Sequence, residues 1–255
     1  MNLAMTAIFS DSLAMTGRSL RGTSRQIDAL LTSILLPVFL MLLFVYVFGG
    51  AMNVGTDYVQ YVVPGVIILC AGYGAASTAV SVATDMQLGI IDRFRSLPIT
   101  KASVLVGHVA SSVITNLVST ALVFGVAFLL GFRPNAGFLD WLGVIGLVIL
   151  FMLALSWTAT AIGLSVKNAE AANGATFIML FLPYLSSAFV PTDTMPGVLQ
   201  PVAKHQPFTP MIEALRALLL GMPVGNSAWI AIAWFGGILI VSFLAASILF
   251  RRTGN

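Results

Sequence analysis

Charge is scarce in this chain of 255 residues: 8% of the residues are charged, 58% are hydrophobic, and the mean hydropathy is +1.00. Soluble globular domains carry about 25% charged residues, so this sequence cannot cover a water-facing surface. A water-soluble enzyme and a disordered regulator are therefore excluded. The uncharged runs have the length of membrane helices and lack the alternation of barrel strands, which predicts an all-α integral membrane protein.

Residues for covalent, nucleotide or metal chemistry are also few. The single cysteine, Cys70, excludes an internal disulfide and is interpreted as a small buried hydrophobe. The dipeptide Gly-Lys does not occur, so no P-loop can hold ATP phosphates. No paired cysteines or H-E-x-x-H motif supports a metal site, and His108 is interpreted as a packed or interfacial histidine. We expect no catalytic residue, metal or cofactor in this chain.

Carboxylates deep inside the apolar runs are absent too. The acids lie at the ends of those runs or in the loops between them, for example Asp85, Asp140 and Glu170. An ion-coupled carrier needs a carboxylate within the membrane, and this chain offers none. The energy for any transport is therefore expected to come from another chain.

Six apolar segments are predicted to span the membrane. Each approaches or exceeds the roughly 20 residues needed to cross a hydrocarbon core about 30 Å thick. They are Ile27–Phe48, Tyr58–Thr84, Ala102–Leu130, Trp141–Val166, Asn173–Val190 and Trp229–Phe250. No soluble domain fits between them, so residues 1–255 are predicted to form a single transmembrane domain.

The distribution of lysine and arginine sets the predicted orientation. Nine of the twelve flank the segments on one side: Arg18, Arg21, Arg25, Arg93, Arg95, Lys101, Lys167, Arg251 and Arg252. The positive-inside rule places that side, and both termini, in the cytoplasm. The net charge of +3 thus reflects membrane topology, and no nucleic-acid partner is predicted. Residues 1–26 are predicted to form an interfacial helix on the cytoplasmic leaflet.

The extracellular segment 191–227 contains a second short helix. Five prolines break its first part, and a helix is predicted over Pro210–Leu220, with Thr209 before it and Gly221 at its end. Met211, Leu215 and Leu218 share one apolar stripe, while Glu213 and Arg216 are predicted on the opposite face. The helix is either a surface helix on the outer leaflet or a re-entrant lid over a pathway; the length of the loop favours the lid.

The cytoplasmic loop 85–101 carries a compact amphipathic pattern. Ile90, Phe94 and Leu97 fall on one helical face, and a proline ends the helix. A socket on a partner protein and an anchor on lipid headgroups fit this pattern equally well. The loop residues are Gly89, Ile90, Ile91, Asp92, Arg93, Phe94, Arg95, Ser96, Leu97 and Pro98.

The loop sequence resembles a signature of the permease subunits of type-2 ABC exporters, in the daunorubicin/doxorubicin-resistance group. Three further stretches resemble the same family, in the same order, so that the likeness covers nearly the whole chain. They are Arg25–Gly50, Lys167–Asn173, and Gln206–Pro210 with Glu213–Arg216 and Gly221.

The resemblance implies a partnership and a location. Such permeases have six spans, work as a pair, and associate with two separate ATPase subunits that bind ATP and Mg. Loop 85–101 would be the coupling helix seated on the ATPase, and 191–227 would carry short re-entrant external helices. The chain would then lie in a bacterial plasma (inner) membrane, as a homodimer surrounded by lipid.

The resemblance also implies a pathway for an amphipathic cargo, such as a drug, a lipid or a lipid-linked product, between spans two and five. Span two has a small-residue face, which favours close packing within one subunit over a cavity-lining role. In span five, Pro183 is expected to bend the helix. The possible lining residues are Ala71, Ala75, Ser77, Thr78, Ala79, Phe177, Phe181 and Pro183.

A different function class is consistent with the same pattern. A six-span scaffold or sensor could use the cytoplasmic helix to recruit a partner without transporting anything. Co-purification of a nucleotide-binding subunit with this chain separates the two hypotheses.

Overall fold

The structure is a computed structural model that describes residues 12–21, 27–52, 54–90 and 101–252. Within these ranges all regular structure is helical. The helices are α1 (residues 12–21), α2 (Ile27–Leu42), α3 (Tyr58–Gln87), α4 (Lys101–Leu129), α5 (Phe138–Ser165), α6 (Ala169–Phe181), α7 (Gln200–His205), α8 (Phe208–Leu220) and α9 (Ser227–Arg252). A π-helical stretch, Leu43–Phe48, follows α2, and 3-10 turns lie at Leu182–Leu185 and Thr192–Thr194.

Four of the predicted spans are confirmed as helices long and apolar enough to cross a membrane. They are α3, Ser103–Leu129 of α4, α5 and α9. At about 1.5 Å per residue, each exceeds a hydrocarbon core of about 30 Å. The sequence prediction placed their ends within a few residues of the observed ones.

The fifth predicted span is a shorter helix, whereas the first is formed by α2 and the π-helical stretch, which together cover Ile27–Phe48 as predicted. Span five was expected to continue to Val190, but α6 ends at Phe181 and a 3-10 turn follows it. The reason is Pro183, which has no N–H to donate and whose ring clashes with the preceding helical turn. The helix preceding the π-helical stretch, α2, has only 16 residues and contains Pro37.

Helix α3 is the central element of the fold. It contacts α2, α4, α5, α6 and α8, and most of its side chains are buried, including Cys70 as predicted. Three glycines allow the close packing around it, because a Cβ atom at any of them would collide with a neighbouring helix or turn. The pairs are Gly65 with Ala188, Gly74 with Asn116, and Gly163 of α5 with Ala79.

The short helix of the segment 191–227 is confirmed, with one shift at its start. It begins at Phe208, before the predicted Pro210, and it ends at Gly221, whose φ of +65° suits glycine. Thr209 was expected to precede the helix. It lies in the first turn instead, and its hydroxyl donates a hydrogen bond to the Ala203 carbonyl at 2.6 Å.

The N-terminal helix, α1, packs against α4. A Cβ atom at Gly107 of α4 would lie 2.7 Å from the Met15 Cβ atom, so the backbones of α1 and α4 approach closely. Of the predicted interfacial segment 1–26, residues 1–11 and 22–26 lie outside the described residues.

The glycine packing gives a direct stability test. We expect Gly163→Ala to destabilise the protein by roughly 1–3 kcal/mol, the usual range for overpacking a tight interface. The new Cβ atom would lie 2.6 Å from the Ala79 carbonyl oxygen, which cannot move without displacing α3. Thermal unfolding in detergent measures the effect.

Gly146→Ala is the matched control on the same helix. A Cβ atom at Gly146 meets no atom within 4 Å, so helix propensity alone should leave this variant as stable as the wild type or more so. Equal melting temperatures for the two variants would contradict the role assigned to Gly163.

Candidate transport pathway

One strip of α3 is not covered by the other described residues of the chain. Ser77 is exposed and Tyr73 is half-buried, whereas the residues around them are buried. This strip lies beside α6, and the Tyr73 hydroxyl approaches the Tyr184 hydroxyl at 3.4 Å. An amphipathic molecule needs a binding surface that is mostly apolar and offers a few polar groups. The hydroxyls on this open face of two apolar helices provide such a surface.

A row of aromatic rings continues this open face. Phe177 and Phe181 are 64% and 52% exposed and stack on each other, so the described residues leave these two rings of the row largely uncovered. Ring centroids follow one another at 4.2–6.2 Å, which is contact distance for aromatic pairs. We call this the aromatic row: Phe177, Phe181, Tyr184, Phe189, Phe44 and Phe48.

The predicted lining residues fall into two groups. Ser77, Phe177 and Phe181 lie on the open face. The other five are buried within the chain, four of them in the packing of α3 and the fifth in the turn after α6: Ala71, Ala75, Thr78, Ala79 and Pro183. Close packing within one subunit was the favoured interpretation of the small-residue face of span two. The burial of the four α3 positions agrees with that interpretation.

The C-terminal end of α3 carries a cluster of ionisable groups. The Asp85 carboxylate lies 3.3 Å from the Arg18 guanidinium and 3.3 Å from Nε2 of His108, which is 8% exposed and thus packed, as predicted. The cluster joins α1, α3 and α4 at the start of loop 85–101, which is predicted to be cytoplasmic. Gly89, with a φ of +64°, ends the helix and Ile90 follows it. The remaining predicted coupling residues, 91–98, lie outside the described residues.

A buried arginine from α8 contacts the N-terminal end of α3. Arg216 of α8 is 7% exposed, and its Nε and Nη2 atoms donate hydrogen bonds to the carbonyls of Tyr61 at 3.1 Å and Ser187 at 2.6 Å. Its guanidinium carbon lies 3.8 Å from the Tyr61 ring centroid. Burial lowers the pKa of this guanidinium, yet an arginine side chain stays charged in proteins.

This burial corrects the predicted orientation of Arg216, which was placed on the exposed face of the helix. Two backbone carbonyls and an aromatic ring replace the water that the charge loses, so the arginine can face inward. The sequence contained an indication of this orientation, because Arg216 shares a helical face with two apolar residues, Ile212 four residues before it and Leu219 three residues after it. Both are fully buried in the structure.

The predicted lid residues are packed into the protein interior. Met211 and Leu215 are fully buried and Leu218 is partly buried, so α8 is held by the fold as a fixed element. Burial raises the pKa of the Glu213 carboxyl, which the Arg216 charge opposes only in part. Over the described ranges, no group of three His, Cys, Asp or Glu side chains could hold a metal ion.

Comparisons with known proteins identify relatives of this chain. The family model described as ABC-2 type transporter matches residues 11–220. The daunorubicin resistance ABC transporter permease protein DrrB1 of Streptomyces coeruleorubidus is 34% identical over 194 residues, covering 75% of this chain and 69% of that protein. The probable doxorubicin resistance ABC transporter permease protein DrrC of Mycobacterium tuberculosis is 27% identical over 248 residues, covering 96% and 90%. Nodulation protein J of Rhizobium leguminosarum is 25% identical, covering 78% and 76%.

The Arg216 contacts predict a loss of stability on substitution. Arg216→Met should lower the free energy of unfolding by about 1–3 kcal/mol for each carbonyl left unpaired. Arg216→Lys should recover only part of the loss, because an ammonium lacks the planar fork that reaches both carbonyls. Glu213→Gln, on the same helix, is the control and should have a smaller effect. Unfolding of Arg216→Met at the wild-type temperature would refute the assigned contacts.

Proposed function

The chain belongs to the ABC-2 type transporter family, and we propose that it is the permease subunit through which an ATP-driven exporter moves an amphipathic cargo out of the cell. The family match carries this proposal, since it extends over most of the chain. The four long apolar helices and the open polar and aromatic face agree with it.

The proposed cargo is a molecule with a flat apolar body and a few polar groups, such as a drug, a lipid or a lipid-linked product. Two kinds of observation support this class. Several relatives are named for daunorubicin or doxorubicin resistance. The open face of this chain combines stacked rings, including Phe177 and Phe181, with the hydroxyls of Tyr73 and Ser77, and it carries no charge.

A second copy of the chain would complete the pathway. Helix α6 has only Ala172 and Thr176 among its buried residues, so most of its surface has no partner within the described chain. An uncovered helix this short favours an interface where two subunits meet. The homodimer, two further spans contributed by α2 and α6, and cytoplasmic termini in a bacterial plasma membrane are all part of the proposal.

The driving force would come from two copies of a separate ATPase subunit that bind ATP and Mg. Loop 85–101 would seat on that subunit, and the small region 200–220 would stay fixed as the outer boundary of the pathway. The Asp85 cluster supports this role, because it ties α1 and α4 to α3 next to the loop. Movement of the loop would therefore reach three helices together.

The open face predicts which aromatic residues affect transport. Phe177→Ala and Phe181→Ala should each weaken cargo transport, since an aromatic contact contributes roughly 0.5–1.5 kcal/mol, or roughly 2- to 10-fold in apparent affinity. Uptake of doxorubicin into inverted vesicles that contain both subunits, at matched expression, measures this. Phe138→Ala is the matched control, because Phe138 is also largely exposed but lies at the start of α5 and is not part of the aromatic row. Normal uptake by both α6 variants would refute the pathway.

The coupling loop predicts a separate effect on assembly. Phe94→Ala should weaken binding of the ATPase subunit or uncouple ATP hydrolysis from transport, because an aromatic anchor in an interface typically contributes about 2 kcal/mol or more. Arg93→Ala should matter less, since rim charges contribute little to affinity. Co-purification of the ATPase, its hydrolysis rate and drug uptake are measured together.

The controls distinguish the coupling role from a lipid anchor. The permease alone should hydrolyse no ATP, and every variant should reach the membrane in equal amount. Retention of the partner together with normal transport in Phe94→Ala would mean that the loop only rests on lipid headgroups.

A further inference from the structure

A cavity of about 530 Å³ lies between α5, α6 and α9, and none of the residues of the aromatic row lines it. We infer that it is a binding site for a single lipid acyl chain. Its walls come from α5, α6, the first turn of α8 and α9. The lining residues are Leu155, Thr158, Ile178, Met179, Leu182, Pro207, Phe208, Ala233, Trp234, Phe235, Gly237, Ile238, Val241 and Ser242.

The floor of the cavity is rigid and preformed. Phe235 is fully buried and packs edge-to-face against Phe151 at 4.9 Å and Phe208 at 5.8 Å between ring centroids. Edge-to-face packing of three buried rings holds each of them in one orientation. The volume falls within the range of about 300–1,000 Å³ that is typical of pockets for small molecules.

The two hydroxyl groups of the cavity have no hydrogen left to donate to a ligand, and the rest of the lining is mainly apolar, which favours a hydrocarbon ligand. The hydroxyls of Thr158 and Ser242 lie 2.8 Å apart, and the Thr158 hydroxyl donates to the Ala154 carbonyl at 2.8 Å. Ser242 therefore donates to Thr158, and neither hydroxyl retains a hydrogen for a ligand. An amphipathic cargo would need a polar partner here, and water does not fill an apolar cavity of this kind.

The position of the cavity identifies the source of that hydrocarbon. The cavity residues of α9 lie between 233 and 242, which is about 14 Å of helix at about 1.5 Å per residue. They begin about two turns after the first residue of α9, a helix long enough to span the membrane. Ile178 and Val241 at the rim are largely exposed, so the cavity opens sideways toward the acyl chains of the bilayer. A bilayer chain is the hydrocarbon present at that depth.

An acyl chain in this site would act on α6. Ile178 and Leu182 lie one helical turn apart on the cavity side, while Phe177 and Phe181 lie on the neighbouring face that carries the aromatic row. A bound chain would therefore support α6 on the face next to the one that carries the aromatic row. The assignment of the lipid site does not depend on the proposed export function.

Photolabelling tests the site. The full-length chain is placed in nanodiscs containing phosphatidylethanolamine with a diazirine on one acyl chain, and adducts are mapped by mass spectrometry after illumination. We expect adducts concentrated on residues 233–242 of α9 and 155–158 of α5, above the level on the other lipid-facing helices. Gly237→Phe should reduce them at least about fivefold, because a side chain there extends into open space within the cavity.

Gly236→Phe is the matched control, since it makes the same change one residue earlier, also into open space, but outside the cavity. It should label like the wild type. Ala233→Leu fills the cavity from another position and replaces Gly237→Phe if that variant does not fold, as judged by its melting temperature and elution volume. Wild-type labelling of the cavity in the filled variants would overturn the proposal, as would displacement of the label by doxorubicin, which would make the cavity a cargo site.

Discussion

The close approach of neighbouring backbones to α3 is the constraint on which the rest of this structure depends. Lipid tails are as apolar as leucine, so helices in a membrane associate mainly by van der Waals packing and hydrogen bonds. Small residues on α3 and on its neighbours, such as Gly163 against Ala79, bring the helices near enough for that packing. Five of the described helices then cover much of α3, and the strip with Tyr73 and Ser77 stays open among the described residues.

The two ends of α3 are held by different kinds of electrostatic contact. On one end, Asp85 pairs with Arg18 and lies beside His108. On the other, the carbonyl of Tyr61 accepts a hydrogen bond from Arg216, which fastens α8 to the same helix. A rigid helix of 30 residues thus connects the predicted coupling loop with the outer region, and in the proposed function a force on one end would reach the other.

Helix α6 separates two surfaces with different chemistry. The aromatic row, which includes Phe177 and Phe181, faces the open strip of α3, whereas Ile178 and Leu182 line the cavity that we assign to an acyl chain. The brevity of the helix follows from Pro183, since a longer helix would need the N–H that proline lacks. This short helix packs mainly against α3 and is flanked by two open surfaces.

The sequence by itself determined the class of protein, four of its spans and the short helix ending at Gly221, because charge density, run length and capping residues act locally. It also carried the family likeness. Only the tertiary structure decided which groups meet Arg216 and that α1 packs on Gly107. Each of these depends on groups distant in sequence, such as the Tyr61 and Ser187 carbonyls that meet Arg216, and helical periodicity contains no information about such partners.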